Sequence, residues 1–477
     1  MESIAGSAVM PELSNLSQRF EALRRAAARN PNPDRPARDR RLAAFGELLH
    51  DNVDAIAAAI SADFGHRSAH ETRLLEIFPS LETVRHARRH LKRWMQPQNR
   101  PVSVWFQPGR AQVIAQPLGV VGIIVPWNYP ILLAAAPLVA ALAAGNRAMV
   151  KMSEFTPTTS QLMARLIGER FAGDELCVVQ GDAKVGQVFA ALPFDHLLFT
   201  GSTKVGHSVM RAAAENLTPV TLELGGKSPA IVGPQYPIAH AAQRIVIGKT
   251  MNAGQTCIAP DYALLPAGRE REFLAAAQQT VASCYPDLTR TPDYSSIINI
   301  RHYHRLTGYL EDARAKGAEV IGLSPGASAD EGSRLLPPFV LLNVSDSMQV
   351  MQEEIFGPLL PVVPYQDLSA AIRFVNERPR PLALYYFDRD GANIDRVLSE
   401  TVSGGVTIND TILHIAQDSL PFGGVGMSGM GHYHGREGFE TFSKMKPVFH
   451  QSRLNTIGLF KPPYGRLFER LVKVLLR

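Results

Sequence analysis

His196-Leu-Leu-Phe-Thr-Gly-Ser-Thr-Lys-Val-Gly206 carries an apolar strand into a glycine-bordered turn and on into the helical pattern of His207-Ser-Val-Met-Arg-Ala-Ala-Ala214. A buried strand leading directly into a helix is a unit of parallel sheet, because the chain must cross back over the sheet before it can start another strand in the same direction. Upstream the alternation continues. Gly119–Val125 and Arg147–Met152 read as strands on either side of the apolar run Ile131–Ala144, followed by a helix over 159–171, the strand Cys177–Val179 and a helix over 184–191. The predicted fold is therefore α/β with a doubly wound, Rossmann-like parallel sheet. The pattern weakens at Leu222-Glu-Leu-Gly-Gly-Lys227 and resumes with helices over 239–253 and 269–285, which predicts a second doubly wound α/β unit running to about Ile415.

Helical spacing also opens the chain, over 13–30, 34–64 and 70–95, with Asp34 and Pro36 placed where a helix start favours a capping carboxylate and a preset φ. Two short alternating runs flank Pro108-Gly109 and read as a hairpin, a candidate subunit arm. Leu467–Arg477 is basic and amphipathic. It reads as a helix packed on the domain or on a partner subunit, with membrane-surface contact as the alternative.

At 477 residues and 45% hydrophobic content the chain can bury two or three cores. Its 49 basic and 44 acidic residues leave a net charge of only +5 with no long basic block, which argues against nucleic acid as a partner. Cys177, Cys257 and Cys284 match no zinc spacing and cannot form a full disulfide set, so a reducing, cytoplasmic setting without bound metal is expected. No charged segment followed by an apolar core opens the chain, so no leader is expected; the run Ile131–Ala144 is shorter than the ~20 residues a membrane span requires.

The chemistry centres on Asn252-Ala-Gly-Gln-Thr-Cys-Ile258, which places one thiol in a small-residue loop open to a flat substrate. A nucleophilic Cys257 needs a proton acceptor and a donor for the oxyanion it creates. Glu223, among apolar neighbours before a Gly-Gly break, is the candidate base, with a salt bridge to Lys227 as the alternative. Asn128, in the turn Pro126-Trp-Asn-Tyr-Pro130, is either an oxyanion donor or the side chain of an Asx-turn. Gly201 and Gly206 could bring backbone N–H groups to a phosphate or could serve only a tight turn. Lys151 and Glu154 could grip a ribose or form a surface pair. Glu353-Glu-Ile-Phe-Gly-Pro358 could place a carboxylate on a sugar and an aromatic beside a ring, while Gly404–Asn409 and Pro421–Gly429 are glycine-dense. Cys177 and Cys284 read as inert packing residues.

Together, Pro126–Pro130, Lys151–Glu154, Gly201–Gly206, Leu222–Lys227, Gly254–Cys257, Glu353–Pro358 and Pro421–Gly429 resemble the NAD(P)-dependent aldehyde dehydrogenase superfamily over nearly the whole chain. Met152–Pro157, Ala259–Tyr262, Tyr433–Gly435 and Pro462–Tyr464 are similar to its class 3 branch and, within it, to bacterial coniferyl-aldehyde dehydrogenases. The resemblance implies two Rossmann-like domains plus a small β oligomerisation arm: 1–101 and 117–222 for the cofactor, 223–416 for catalysis, 102–116 and 417–477 for the arm and C-terminal segment. It implies Cys257 as nucleophile, Glu223 as base, and Asn128 with the Cys257 backbone N–H as oxyanion hole. NAD, or NADP, would lie on Trp127, Lys151, Glu154, Gly201, Ser202, Val205, Gly206, Leu224, Gly225, Glu354 and Phe356. An apolar or aromatic aldehyde would meet Tyr129, Leu132, Ile258 and the Thr411–Ile415 loop, and the chain would form a homodimer. Two other readings are a cofactor-independent thiol esterase and a non-catalytic homologue; the latter would be expected to lack one of Cys257, Glu223 or Asn128, and all three are present.

Overall fold

The computed structural model describes residues 5–455, 458 and 461–476, with side chains from residue 15 onward. Residues 1–4, where the leader reading begins, and Arg477 lie outside them.

The helix that anchors the core is Leu132–Ala144, buried on all sides from Leu133 onward, as its unbroken apolar composition requires. Around it the alternating segments close a six-stranded sheet in the order Gly429–Met430, Val220–Leu224, His196–Gly201, Val120–Ile124, Arg147–Lys151, Leu176–Val179. Every pair is parallel except Gly429–Met430, which runs antiparallel to Val220–Leu224. From Val120–Ile124 the chain winds outward through Arg147–Lys151 and Leu176–Val179, then returns to the other side as His196–Gly201. That reversal opens a crevice at the carboxyl ends of the two central strands.

The second sheet has seven strands, ordered Glu319–Gly322, Phe339–Leu342, Leu359–Tyr365, Tyr262–Pro266, Pro229–Val232, Ala383–Phe387, Gly405–Ile408. Only its first pair is antiparallel. One hydrophobic cluster runs from the Leu132–Ala144 helix to Ala230, Val232, Ala263 and Leu265, so the two sheets share a core. The fold is the expected pair of doubly wound α/β units.

The details depart from expectation where polar groups intervene. The boundary read between 222 and 223 falls inside a strand, Val220–Leu224, whose downstream neighbour is supplied by Gly429–Met430. The run 34–64 is two helices, Arg35–Asp51 and Val53–Phe64, because the Asn52 amide donates to Leu48 O at 2.8 Å and competes with the helical ladder. The 70–95 helix contains a π-turn at Arg73–Ile77, and Glu76 of that turn is fully buried. The hairpin is displaced: Val104–Phe106 is a 3-10 turn, and Arg110–Pro117 pairs with Gln98–Arg100 on one side and Ser443–His450 on the other. Pro101 and Pro108 bracket that turn and supply no backbone N–H to a ladder. Among the described residues no helix is long and apolar enough to cross a membrane.

Candidate active site

The Val120–Ile124 strand runs straight into Pro126-Trp127-Asn128, and the neighbouring His196–Gly201 strand ends at Ser202. Ser202 caps the Thr203–Ala214 helix by accepting from Val205 N at 3.4 Å, so several first-turn N–H groups and the positive end of the helix dipole face the crevice. On the next strand Glu223 is 2% exposed.

The other wall comes from loops that enter the seven-stranded sheet. Cys257 precedes Tyr262–Pro266, and Glu354–Phe356 precedes Leu359–Tyr365. The cysteine loop is left-handed at Asn252 (φ 51°), Ala253 (φ 51°) and Gly254 (φ 75°). A side chain on Gly254 would overlap the Gly357 carbonyl, so the turn packs against the backbone that carries Phe356. Two buried amides hold it. Asn252 Nδ2 donates to Asn128 O at 3.1 Å and to Gln255 O at 3.2 Å; Gln255 Nε2 donates to Ser296 O at 3.0 Å, and its Oε1 accepts from Ile298 N at 2.9 Å. Behind them Arg67 donates to Glu76 at 2.8 Å and to Asn128 O at 3.0 Å, while Glu76 Oε2 accepts from Ile131 N at 2.7 Å and Leu132 N at 3.2 Å. The Arg67–Glu76 pair is wholly buried. It therefore ties the start of the central helix to the asparagine turn.

Between the walls lies a cavity of about 190 Å³, lined by Pro126, Trp127, Asn128, Leu133, Thr200, Gly201, Ser202, Glu223, Leu224, Gly225, Cys257, His302, Arg305, Glu354 and Phe356. A cleft of about 630 Å³ adjoins it through Gly225 and Glu354. Of the residues singled out in the sequence, Lys151, Glu154, Val205 and Gly206 stand outside the inner cavity, as do Tyr129, Leu132, Ile258 and the Thr411–Ile415 loop. Lys151 and Glu154 form a pair at 3.8 Å, with Lys151 buried and Glu154 38% exposed. Gly206 serves packing, since a Cβ there would lie 2.7 Å from Leu224 Cδ2.

Two alternatives are decided. Lys227 pairs with Asp261, not with Glu223, and both Glu223 oxygens are buried without a hydrogen-bond partner among the described residues. Asn128 Nδ2 donates to Gln255 O at 3.1 Å, across to the cysteine loop, instead of closing a local turn. One N–H of that amide is left to donate. Leu133 lines the cavity where Leu132 was expected.

Burial dominates the electrostatics. It raises Glu223 well above the ordinary carboxyl range. Burial, then the neighbouring Glu354 and Glu223 carboxyls, push the Cys257 thiol up to about 12. Glu354 rises to about 8, first through burial and then through Asp261, although the Gly226 N–H and Lys227 favour its anion. Thiol and carboxyl face one cavity, and a proton passes from the thiol to the carboxyl only when Glu223 is ionised, the single negative charge then moving between them without entering water.

Several participants carry no sequence motif: Arg67, Glu76, His302 and Arg305. Tyr433 is 1% exposed, and Glu223 and Cys257 both act electrostatically on its phenol. No signal in the sequence marks Glu76, since Thr72, Ser80 and Thr83 share its helical face; Tyr433, in the stretch Tyr433–Gly435, is held by the bridge Phe422–Tyr433.

A dinucleotide fits this arrangement, given a helix N-terminus at Ser202, a Gly225 whose missing Cβ clears the Glu354 carboxyl, and a buried Glu354 Oε1 with no partner. The aldehyde dehydrogenase family model matches residues 14–448. A probable coniferyl aldehyde dehydrogenase of Pseudomonas aeruginosa is 56% identical over 97% of this chain and 96% of its own. AldH of Staphylococcus aureus in a substrate-bound state superposes with a TM-score of 0.91 at 39% identity, covering 97% of this chain and 99% of that one. An aldehyde dehydrogenase of Mycobacterium tuberculosis complexed with NAD+ superposes with a TM-score of 0.83 at 28% identity, covering 93% of this chain and 91% of that one. The chain belongs to the aldehyde dehydrogenase family and oxidises an aldehyde to the carboxylic acid with NAD(P)+.

Proposed function

We propose that Cys257 is the nucleophile, Glu223 the base and Asn128 the oxyanion donor, acting on an aromatic or apolar aldehyde such as coniferaldehyde. The observation that carries this reading is the partnerless Glu223 carboxyl buried in the same cavity as the thiol. In the fraction of molecules in which Glu223 is ionised, the thiol gives its proton to the Glu223 carboxylate and adds to the carbonyl carbon. The remaining Asn128 N–H and the Cys257 backbone N–H hold the oxyanion. When bound, the nicotinamide accepts the hydride, leaving a thioester on Cys257. Glu223 passes the thiol's proton to solvent, and the regenerated carboxylate removes a proton from the water that attacks the thioester, so that the carboxylic acid leaves and the Cys257 sulfur departs as thiolate.

Trp127, Ser202, Gly201, Leu224 and Gly225 would border the cofactor, with Glu354 and Phe356 at its nicotinamide end and Lys151 with Glu154 at the far ribose. Val205 and Gly206 support that helix from outside the inner cavity. Glu154, 38% exposed beside Lys151, would repel a 2′-phosphate, so NAD is the preferred cofactor. The cavity's apolar surroundings, with Leu133 in its wall and Tyr129 and Ile258 buried beside it, suit an uncharged substrate, and the P. aeruginosa relative points to coniferaldehyde. A medium- or long-chain alkanal is the second reading, favoured by the same apolar walls. The exposed Val104, Trp105 and Phe106 on the 3-10 turn between Gln98–Arg100 and Arg110–Pro117 support a homodimer, and the free cysteines a cytoplasmic enzyme.

Initial rates with coniferaldehyde, benzaldehyde and a medium-chain alkanal, each with NAD+ and NADP+, test the reading. The highest kcat/KM is expected for coniferaldehyde with NAD+. Equal rates with both cofactors would remove the role given to Glu154, and turnover of an ester at the same rate after removal of all nucleotide would replace the dehydrogenase reading with a thiol esterase.

A further inference from the structure

Arg147 opens the strand Arg147–Lys151 and is 8% exposed. The two carboxylates whose charge reaches it are already taken: Asp174 pairs with Arg29 at 3.0 Å and Glu175 with Arg41 at 2.8 Å. Arg147 Nη2 donates to Ala26 O at 3.0 Å and so offsets the negative end of the helix Ala5–Arg29. Its Nε and Nη1 are buried without a partner among the described residues. Burial, and then Arg41, hold its pKa below the ordinary guanidinium value. A guanidinium taken out of water with no counter-ion is unfavourable until an anion completes it.

Arg147 also lines a cavity of about 240 Å³, together with Arg24, Asn30, Gly119, Gly145 and Asp195. One side of the cavity is the end of the first helix, and the other is the pair of turns that lead into Val120–Ile124 and Arg147–Lys151. Asp195 spends Oδ2 on Val120 N at 2.7 Å, and burial raises its carboxyl above the usual range. Two guanidiniums therefore face one carboxylate. Val120 and Arg147 stand opposite each other at the amino ends of their strands, a strand length of roughly 15 Å from the crevice at the carboxyl ends. The cavity shares no lining residue with the active-site cavity or its adjoining cleft.

We propose that this cavity binds a small oxyanion, a carboxylate or a phosphate, on Arg147 with Arg24 at its rim. The charge-assisted hydrogen bonds that such an anion accepts are the ones Arg147 lacks. A cation or an apolar ligand leaves the buried charge unmatched. Bound there, the anion ties the end of the first helix to two central strands of the six-stranded sheet, so its occupancy acts on the stability of that sheet and not on the chemistry at Cys257.

The test is calorimetric titration of the full-length protein, saturated with NAD+ so that the cofactor site is filled, with inorganic phosphate and separately with acetate, the ionic strength being held constant with chloride. The expected result is one equivalent bound per chain for at least one of the two anions, and an unfolding midpoint raised by about 2 °C at a hundredfold excess over Kd. The anion that binds more tightly identifies the source. Arg147→Met is expected to lose that equivalent, and Arg24→Gln, at an exposed position, to weaken it about threefold, both with unchanged kcat/KM for aldehyde. Arg24→Gln decides the matter if Arg147→Met does not fold. No binding of either anion by the wild type, binding that Arg147→Met retains, or an affinity unchanged in Arg24→Gln would overturn the proposal.

Discussion

The two walls of the active-site cavity are built on opposite principles. The wall from the six-stranded sheet uses the carboxyl ends of strands: Trp127, Asn128, Ser202 and Gly225 simply follow where their strands stop, and none of them has a positive φ. The wall from the seven-stranded sheet uses loops that enter strands at their amino ends, and it is bent throughout. Asn252, Ala253, Gly254 and Phe356 are left-handed, and so is Ile412 at φ 66° in the loop after Gly405–Ile408. A β-branched residue in that region is costly and persists only where surrounding contacts over-determine it. One wall therefore follows from strand order alone, whereas the other is held by a buried polar network.

The largest expected effect belongs to the strained wall. Cys257→Ala is expected to lower kcat/KM for aldehyde oxidation by at least about a thousandfold while NAD+ binding, read by fluorescence titration, is unchanged. A comparable loss of cofactor affinity would show that the two walls are not separable. Next, Arg67→Met leaves Glu76 buried without its partner and is expected to cost about 3–5 kcal/mol in denaturant unfolding. Thr200→Val on the relaxed wall, where the hydroxyl is buried and has no partner, is expected to stay within about 1 kcal/mol. Equal losses would erase the distinction.

Gly254→Ala forces a Cβ onto the Gly357 carbonyl at φ 75° and is expected to cost about 1–3 kcal/mol together with kcat. Gly226→Ala, whose nearest neighbour would be Leu382 N at 3.5 Å, should change stability by less than about 0.5 kcal/mol. The smallest effect concerns pH. Burial raises the folded pKa of Glu223, so above the unfolded value the unfolded chain ionises while the folded one resists, and stability falls as pH climbs through that window. Glu223→Gln should therefore unfold at the same temperature as wild type at acid pH and at a higher one toward neutral pH. A gain independent of pH would show that the carboxyl is ionised in the fold.

The same contrast explains what could be read from the sequence. His196–Gly206 and Gly119–Val125 are regular strands with regular sequels, so both the sheet and its crevice followed from apolar periodicity. Cys257, Glu223 and Glu354 stood out because reactive side chains sat beside glycines. Lys151 and Glu154 were equally visible, and they do form a pair, yet at 3.8 Å from each other and outside the inner cavity. The network behind the cysteine was not legible. Arg67 lies in the loop between the helices Val53–Phe64 and Ala69–Thr72, Glu76 lies in ordinary helical text, and only a π-turn, which depends on tertiary packing, rotates Glu76 inward. The hairpin at Pro108 was misplaced because alternation alone does not show which strand has a free neighbour.

The short strand Gly429–Met430 gives this architecture a direction in time. Its register sets Gly429 opposite Glu223, and Leu224 N donates to Ser428 O at 3.0 Å. The edge beside the buried carboxyl is thus closed by residues from a distant part of the chain. Without Ser428 and Gly429 in place, the Glu223 strand is open to water on one side. Pairing so distant in sequence is slow to form, so the Glu223 edge is expected to close only after the local parts of both sheets have assembled.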